Sequence, residues 1–161
     1  MADFQQAFDF MLPHEGQYVS DPTDPGSETK YGISKRSYPK LNIKNLTVEQ
    51  AAQIYERDFW EKIHGGKIQD QALANKLFDL AVNMGVGRAI RLLQEASGLC
   101  GLPLKEDGVM GTQTLTVINM CNSGALLLEF KALASSYYRE LAHVHPALQR
   151  FLGGWLKRAA A

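Results

Sequence analysis

Pro13 closes an apolar stripe that starts at Phe4, and the chain after it follows a different period. Phe4, Ala7, Phe8, Met11 and Leu12 recur at the spacing of one helix face, with Asp3 placed as the N-cap. Proline lacks an N–H and strains the turn before it, so the helix must end or kink there. Tyr18-Val19 and Lys30-Tyr31-Gly32-Ile33 then flank Asp-Pro and Pro-Gly punctuation, which predicts a small irregular hairpin. A chain that opens this way sets a helix end beside a hairpin.

The remaining patterns are helical. Ser34 predicts a short helical turn closed by Pro39, and Thr47 with Gln50 spells a capping box ahead of a helix that Gly65-Gly66 ends. Asp70 caps the next helix, which stops at Gly85, and another runs from Val86 to Gly98. Residues 98–111, with Gly98, Gly101, Pro103, Gly108 and Gly111, read as a loop and as the boundary between two lobes, 1–97 and 98–161. A helix over about 112–122 follows, then a break at Gly124. The longest pattern comes next, from Leu126 to Leu141, ended by Pro146, and a last amphipathic piece spans Leu148–Leu156. The expected fold class is therefore mainly α with one small hairpin.

Charge and composition narrow the function. The 161 residues carry 17 basic and 17 acidic side chains, so the chain lacks the cationic excess that general nucleic-acid binding draws on. The charge is uneven: residues 1–29 hold six acids and no Lys or Arg, whereas residues 131–161 hold five bases and one acid. An acidic edge beside basic surroundings suits an anionic polymer, and solvated charged faces give the same pattern. Cys100 and Cys121 have neither CxxC nor metal-type spacing. His143 and His145, two apart, fall on different faces of a helix and make a poor metal pair. No apolar run approaches a membrane span, and no signal-peptide pattern opens the sequence. The expectation is a protein made in the cytoplasm without stable membrane insertion.

Chemistry concentrates between His14 and Ile33. Glu15 lies past the buried stripe of a helix, on a firm support, and is followed by Asp21, Asp24 and Thr29 within a turn-rich loop. Glycosidic cleavage needs this: one carboxyl to protonate the leaving oxygen, and a second group to hold a water or balance charge. The plain alternatives are turn-initiating aspartates, an ordinary strand threonine and a solvated helix-end acid. Tyr18, Tyr31, Tyr55 and Trp60 are aromatics able to stack on sugar faces or fill a core, with Tyr31 favoured beside Thr29. Asn83 lines a cleft or caps its helix, and His14 tunes the acid or sits on the surface.

The order Glu15, eight residues, Asp24, four residues, Thr29 resembles the Glu, Asp, Thr triad of T-even-type phage lysozymes, in which eight and five residues separate the members. The fuller string, with Glu-Gly, Asp-Pro-x-Asp-Pro-Gly, Thr and Tyr-Gly-Ile-Ser in order, is still more similar to the family 108 glycoside hydrolases. That family usually reads Glu-Gly-Gly and Asp-x-Gly-Gly-x-Thr, and here Gln17 and Ser27 replace the second glycine of each pair. Phe78–Gly85, Leu93-Gln94 and Asp107-Gly108-Val109-Met110-Gly111 resemble the peptidoglycan-binding region that follows such segments.

The resemblance implies a lysozyme-like fold and an endolysin-type muramidase that cuts the β-1,4 bond between N-acetylmuramic acid and N-acetylglucosamine, with no cofactor and no metal. Glu15 is then the general acid, Asp24 the helper carboxylate and Thr29 the water holder. Tyr18, Tyr31, Trp60 and Asn83 are the candidate substrate contacts. Peptidoglycan is the implied partner, reached in the periplasm after release by a holin or another export route. Two rivals stand beside this: a non-catalytic wall-binding or secretion-activating protein on the same fold, and a helical interaction module.

Overall fold

The computed structural model describes residues 1–15, 18–20 and 28–161. Asp21 and Asp24 lie outside the described residues, as do Gln17 and Ser27.

Helix α1 (Phe4–Met11) forms where the apolar stripe places it, and the Asp3 carboxylate accepts from the Gln6 amide at 2.9 Å. Gln71 locks this start against the next long helix: its side chain accepts from Asp3 N and donates to Asp3 O, at 2.7 and 3.0 Å. Pro13 converts the helix into a 3-10 turn over Leu12–His14, and Glu15 leaves it in extended geometry, its N–H bonded to Leu12 O.

The hairpin is tighter than its sequence suggests. Strands β1 (Thr29–Lys30) and β2 (Ile33–Ser34) pair antiparallel, Thr29 with Ser34 and Lys30 with Ile33. The run Lys30–Ile33, predicted as one extended piece, is folded in half at Tyr31 (φ 51°) and Gly32 (φ 74°). Positive φ at both central residues is the two-residue turn that matches strand twist. Val19 joins as a single bridge on the outer side of Thr29, through bonds of 2.8 and 2.9 Å. The helical turn predicted from Ser34 forms as a single turn before Pro39: Ser34, the last residue of β2, accepts from Ser37 N through its hydroxyl at 3.2 Å and from Tyr38 N through its carbonyl at 3.0 Å.

Helix α2 (Val48–Tyr55) starts with the predicted capping box, Thr47 and Gln50 exchanging bonds of 3.2 and 3.0 Å. Its regular part ends earlier than Gly65-Gly66, because the chain widens into a π-turn over Glu56–Trp60. Gly65 is needed for another reason, since a Cβ there would run into the Trp60 indole.

Helix α3 (Gln71–Met84), capped by Asp70, is the axle of the fold and buries Leu73, Leu77, Phe78, Leu80 and Ala81 together with Lys76 and Asp79. Gly85 (φ 91°) turns the chain directly into α4 (Val86–Leu99). Helix α5 (Thr112–Met120) is followed by α6 (Ser123–Val144), and the break predicted at Gly124 falls instead at Cys121-Asn122, where the Asn122 side chain caps α6. After a 3-10 stretch over Pro146–Phe151, α7 (Leu152–Ala160) folds back along α6.

One hydrophobic core runs through all of this, from Phe8 in α1 through Phe78 in α3 and Phe130 in α6 to Ala159 in α7. Each large side chain such as Phe8 or Phe78, fully buried, contributes roughly 1.5–3 kcal/mol of transfer free energy. The 98–111 loop is organised by Gln94, buried in α4. Its amide donates to Asp107 Oδ1, Val109 O and Thr114 Oγ1, and its carbonyl accepts from Gly108 N. The turn's polar groups are thus spent on positioning the loop against α4 and α5.

Candidate active site

Glu15 is set by three elements that meet at the end of α1. The proline-forced turn carries it, the hairpin tip faces one side of its carboxylate, and α7 faces the other. Its side chain is only 15% exposed, and Oε1 lies 2.7 Å from Nη2 of Arg158. The same Nη2 donates to the His14 carbonyl at 3.0 Å, so one guanidinium nitrogen fixes both the acid and the backbone before it.

Arg158 is itself held from below. Asp79, fully buried in α3, lies 3.6 Å from Arg158 Nε and 2.9 Å from His14 Nδ1. Lys76 donates to the Arg158 carbonyl at 2.6 Å and stands 3.6 Å from Asp79 Oδ2. Burial pulls the Lys76 ammonium down to about 8, with Asp79 opposing that shift. Two carboxylates, a guanidinium, an ammonium and an imidazole therefore share one desolvated cluster, of which Glu15 is the outermost carboxylate. Among the described residues, Asp79 Oδ2 and Arg158 Nη1 are buried without a hydrogen-bond partner.

On the hairpin side, the Tyr55 hydroxyl donates to the Tyr31 carbonyl at 2.7 Å, bracing a residue that pays for left-handed backbone geometry. Burial, reinforced by the negative charge of Glu15, pushes the Tyr55 phenol upward, so it stays a donor. Gly32 lets these groups converge: a Cβ there would overlap Glu15 Oε2 and the Tyr55 hydroxyl. The carboxylate thus has two distinct oxygens, Oε1 clamped by Arg158 and Oε2 against the hairpin tip.

A depression opens on either side of Glu15. One, of about 220 Å³, is lined by Gly32, Tyr38, Tyr55 and Val82 among others. The other, of about 490 Å³, is lined by His14, Asn83 and residues of the chain's last two helical pieces. Glu15 borders both, and among their described lining residues it is the sole carboxylate.

The other predicted site residues sit at varied positions. Asn83 lines the larger depression, with its side-chain oxygen accepting from Tyr138 at 2.6 Å. Tyr31 contributes its backbone to the Glu15 surroundings, while its ring packs near the Lys30 ammonium. Thr29 lies in β1, paired through its backbone with Val19. Tyr18 is 40% exposed, and its hydroxyl donates to Glu28. Trp60 is 6% exposed and packs against Phe4 and Phe78 in the core, bordering neither depression beside Glu15. His14 is not a free surface histidine but the partner of Asp79. Arg158, Asp79, Lys76, Tyr55 and Gly32 complete the site. Lys76 and Asp79, charged residues inside the inward-facing pattern of α3, were the one sequence signal of a buried polar cluster.

Among the described residues, no three His, Cys, Asp or Glu side chains cluster so as to hold a metal ion, and no helix is long and apolar enough to cross a membrane.

A partly buried acid at a helix end, a short hairpin beside it and a helical second half make up a lysozyme-like fold. Residues 8–85 match the family model described as glycosyl hydrolase 108, and residues 88–160 match one described as a predicted peptidoglycan domain. Residues 8–85 are thus similar to the glycosyl hydrolase 108 family, and the residues after them are similar to a peptidoglycan-related domain. A solved structure of SagA from Brucella abortus superposes with a TM-score of 0.78 at 26% identity, covering 98% of this chain and 89% of that one. No curated protein matches the sequence. The first family model ends at Gly85, between α3 and α4, the second begins at Arg88 within α4, and the 98–111 loop lies inside the second.

Proposed function

We propose that this hydrolase is a muramidase of the endolysin type, cutting the β-1,4 bond between N-acetylmuramic acid and N-acetylglucosamine. The observation that carries the reading is Glu15, the sole carboxylate bordering both depressions among their described lining residues and fixed through one oxygen by Arg158. A glycan strand laid across the two depressions passes its scissile oxygen over Glu15. With Oε1 occupied by the guanidinium, Oε2 is the oxygen that carries the proton and delivers it to the leaving group. Asp24 then orients the attacking water or balances the developing charge, and Thr29 holds that water. The protein reaches the wall in the periplasm after release by a holin or another export route.

Purified murein supplies the test. The protein should clear a murein suspension, and borohydride-reduced digests should show reduced N-acetylmuramic acid as the new terminus by mass spectrometry. Reduced N-acetylglucosamine as the main terminus would refute the bond assignment. Binding without any new reducing end would favour a non-catalytic wall-binding protein.

A further inference from the structure

The larger depression beside Glu15 has a second wall with no part in acid catalysis. Phe151 and Trp155 form a shelf along it, ring centroids 5.8 Å apart, with Phe151 left 43% exposed. The shelf is rigid, because Trp155 stacks on buried Tyr138 at 5.3 Å and 21°, and the Tyr138 hydroxyl holds Asn83 across the depression. Arg150, its guanidinium 4.7 Å over the Phe151 ring, and Lys157 also line this space. Both cations are exposed, and among the described residues neither is in an ion pair. The only described carboxylate in the lining, Glu15, is already matched by Arg158.

A neutral sugar needs an aromatic face and hydrogen-bonding groups, and gains nothing from two unpaired cations. An acidic peptide attached to a sugar uses all three features. We propose that this depression is a subsite for the carboxylate-bearing peptide substituents of the wall polymer. The sugar or aliphatic part lies on the Phe151–Trp155 shelf, and Arg150 and Lys157 hold the peptide carboxylates. This rests on the hydrolase reading above. It gives the second segment a share in choosing substrate, preferring strands that still carry peptides over strands stripped of them.

The test compares kcat/KM on soluble peptide-bearing murein strands with that on the same strands stripped of peptide by an amidase. Wild type should prefer peptide-bearing strands by about tenfold, the scale of two rim charge contacts, with the preference shrinking as salt rises. Arg150→Gln/Lys157→Gln should bring the ratio close to one, mainly through KM, with an unchanged Tm since both residues are exposed. Direct binding of both strand types to Glu15→Gln, with and without the two changes, reads the subsite without hydrolysis. Hydrolysis with no peptide preference, or a preference that survives the double change, overturns the subsite and leaves the muramidase reading standing. Charge-dependent binding of peptide-bearing strands without hydrolysis by wild type supports the subsite and sinks the muramidase reading. The amidase leaves a lactyl carboxylate on each stripped sugar, so equal binding of both strand types would mean that the peptide carboxylates are not read and would overturn the proposal.

Discussion

Arg158 Nη2 lies 2.7 Å from Glu15 Oε1 although 143 residues separate the two in sequence. The pair joins the segment matching the hydrolase family to the segment matching the peptidoglycan domain, and the acid's orientation depends on both.

Glu15→Gln keeps the side chain's shape and a carbonyl for Arg158 but removes the titratable proton. Murein lysis should fall by at least about a hundredfold, the usual scale of losing a general acid, with far-UV circular dichroism unchanged. Wild-type lysis by a folded variant would remove Glu15 from the mechanism.

Arg158→Met leaves Glu15 and Asp79 short of a counter-charge and should destabilise the fold by about 3–5 kcal/mol, the range for breaking a buried pair. Arg158→Lys restores charge without the planar fork that reaches Glu15, the His14 carbonyl and Asp79 together. It should recover most of the stability yet retain no more than about a tenth of the activity. Denaturant unfolding and turbidity assays on both variants separate the two effects, and full activity in the lysine variant would show that charge alone suffices.

Gly32→Ala meets a positive φ and two groups already in the space a Cβ needs, the Glu15 carboxylate and the Tyr55 hydroxyl. The strain should cost about 1–3 kcal/mol in stability and displace Glu15, so activity should fall even where the protein remains folded. An active variant with an unshifted Tm would show that the hairpin tip does not constrain the acid.

Lys76 predicts a pH dependence of stability. Its folded-state value, about 8, lies below the ordinary 10.5, so between these limits the unfolded chain holds a proton the folded chain has released. Raising the pH through that window therefore favours the folded state, by at most about 3 kcal/mol from this group. Urea unfolding of wild type and Lys76→Met from pH 7 to 10.5 should show wild type gaining relative to the variant as pH rises. A constant difference would mean that the ammonium is not held down by burial.

Asp24→Asn should abolish most lysis, and Asp21→Asn should have a smaller effect, because only Asp24 keeps the eight-residue gap to Glu15. If the loop brings Asp24 and Thr29 around a water, attack comes from the face opposite the acid and the anomeric carbon inverts. Proton NMR of the first product should show the α-anomer before mutarotation. A first-formed β-anomer, or Asp21→Asn proving the more damaging change, would reassign the loop.

Local signals carried most of the helical frame. The Asp3 and Asp70 caps, the Thr47/Gln50 box, the break at Pro13 and the stop at Gly85 each depend on neighbours a few residues away, and each stands where the sequence puts it. The misses arose where distant packing decides. The turn at Tyr31-Gly32 hid inside a β-like run because a tyrosine rarely takes positive φ, and here the Tyr55 bond sustains it. Trp60 looks like any cleft aromatic until Phe4 and Phe78 close over it. In the candidate site, the sequence singles out Glu15 from the helix end and the loop chemistry, whereas it gives no sign of Arg158. An arginine before three alanines carries no local mark of its role, and only the return of α7 brings it to the acid.

That return also ties activity to the state of the chain. In a copy whose α7 has not docked, the Glu15 carboxylate lacks its guanidinium, and the Phe151–Trp155 wall of the neighbouring depression is missing. On the proposed function, hydrolysis then requires α7 in place, so a molecule nicked ahead of α7 should be silent.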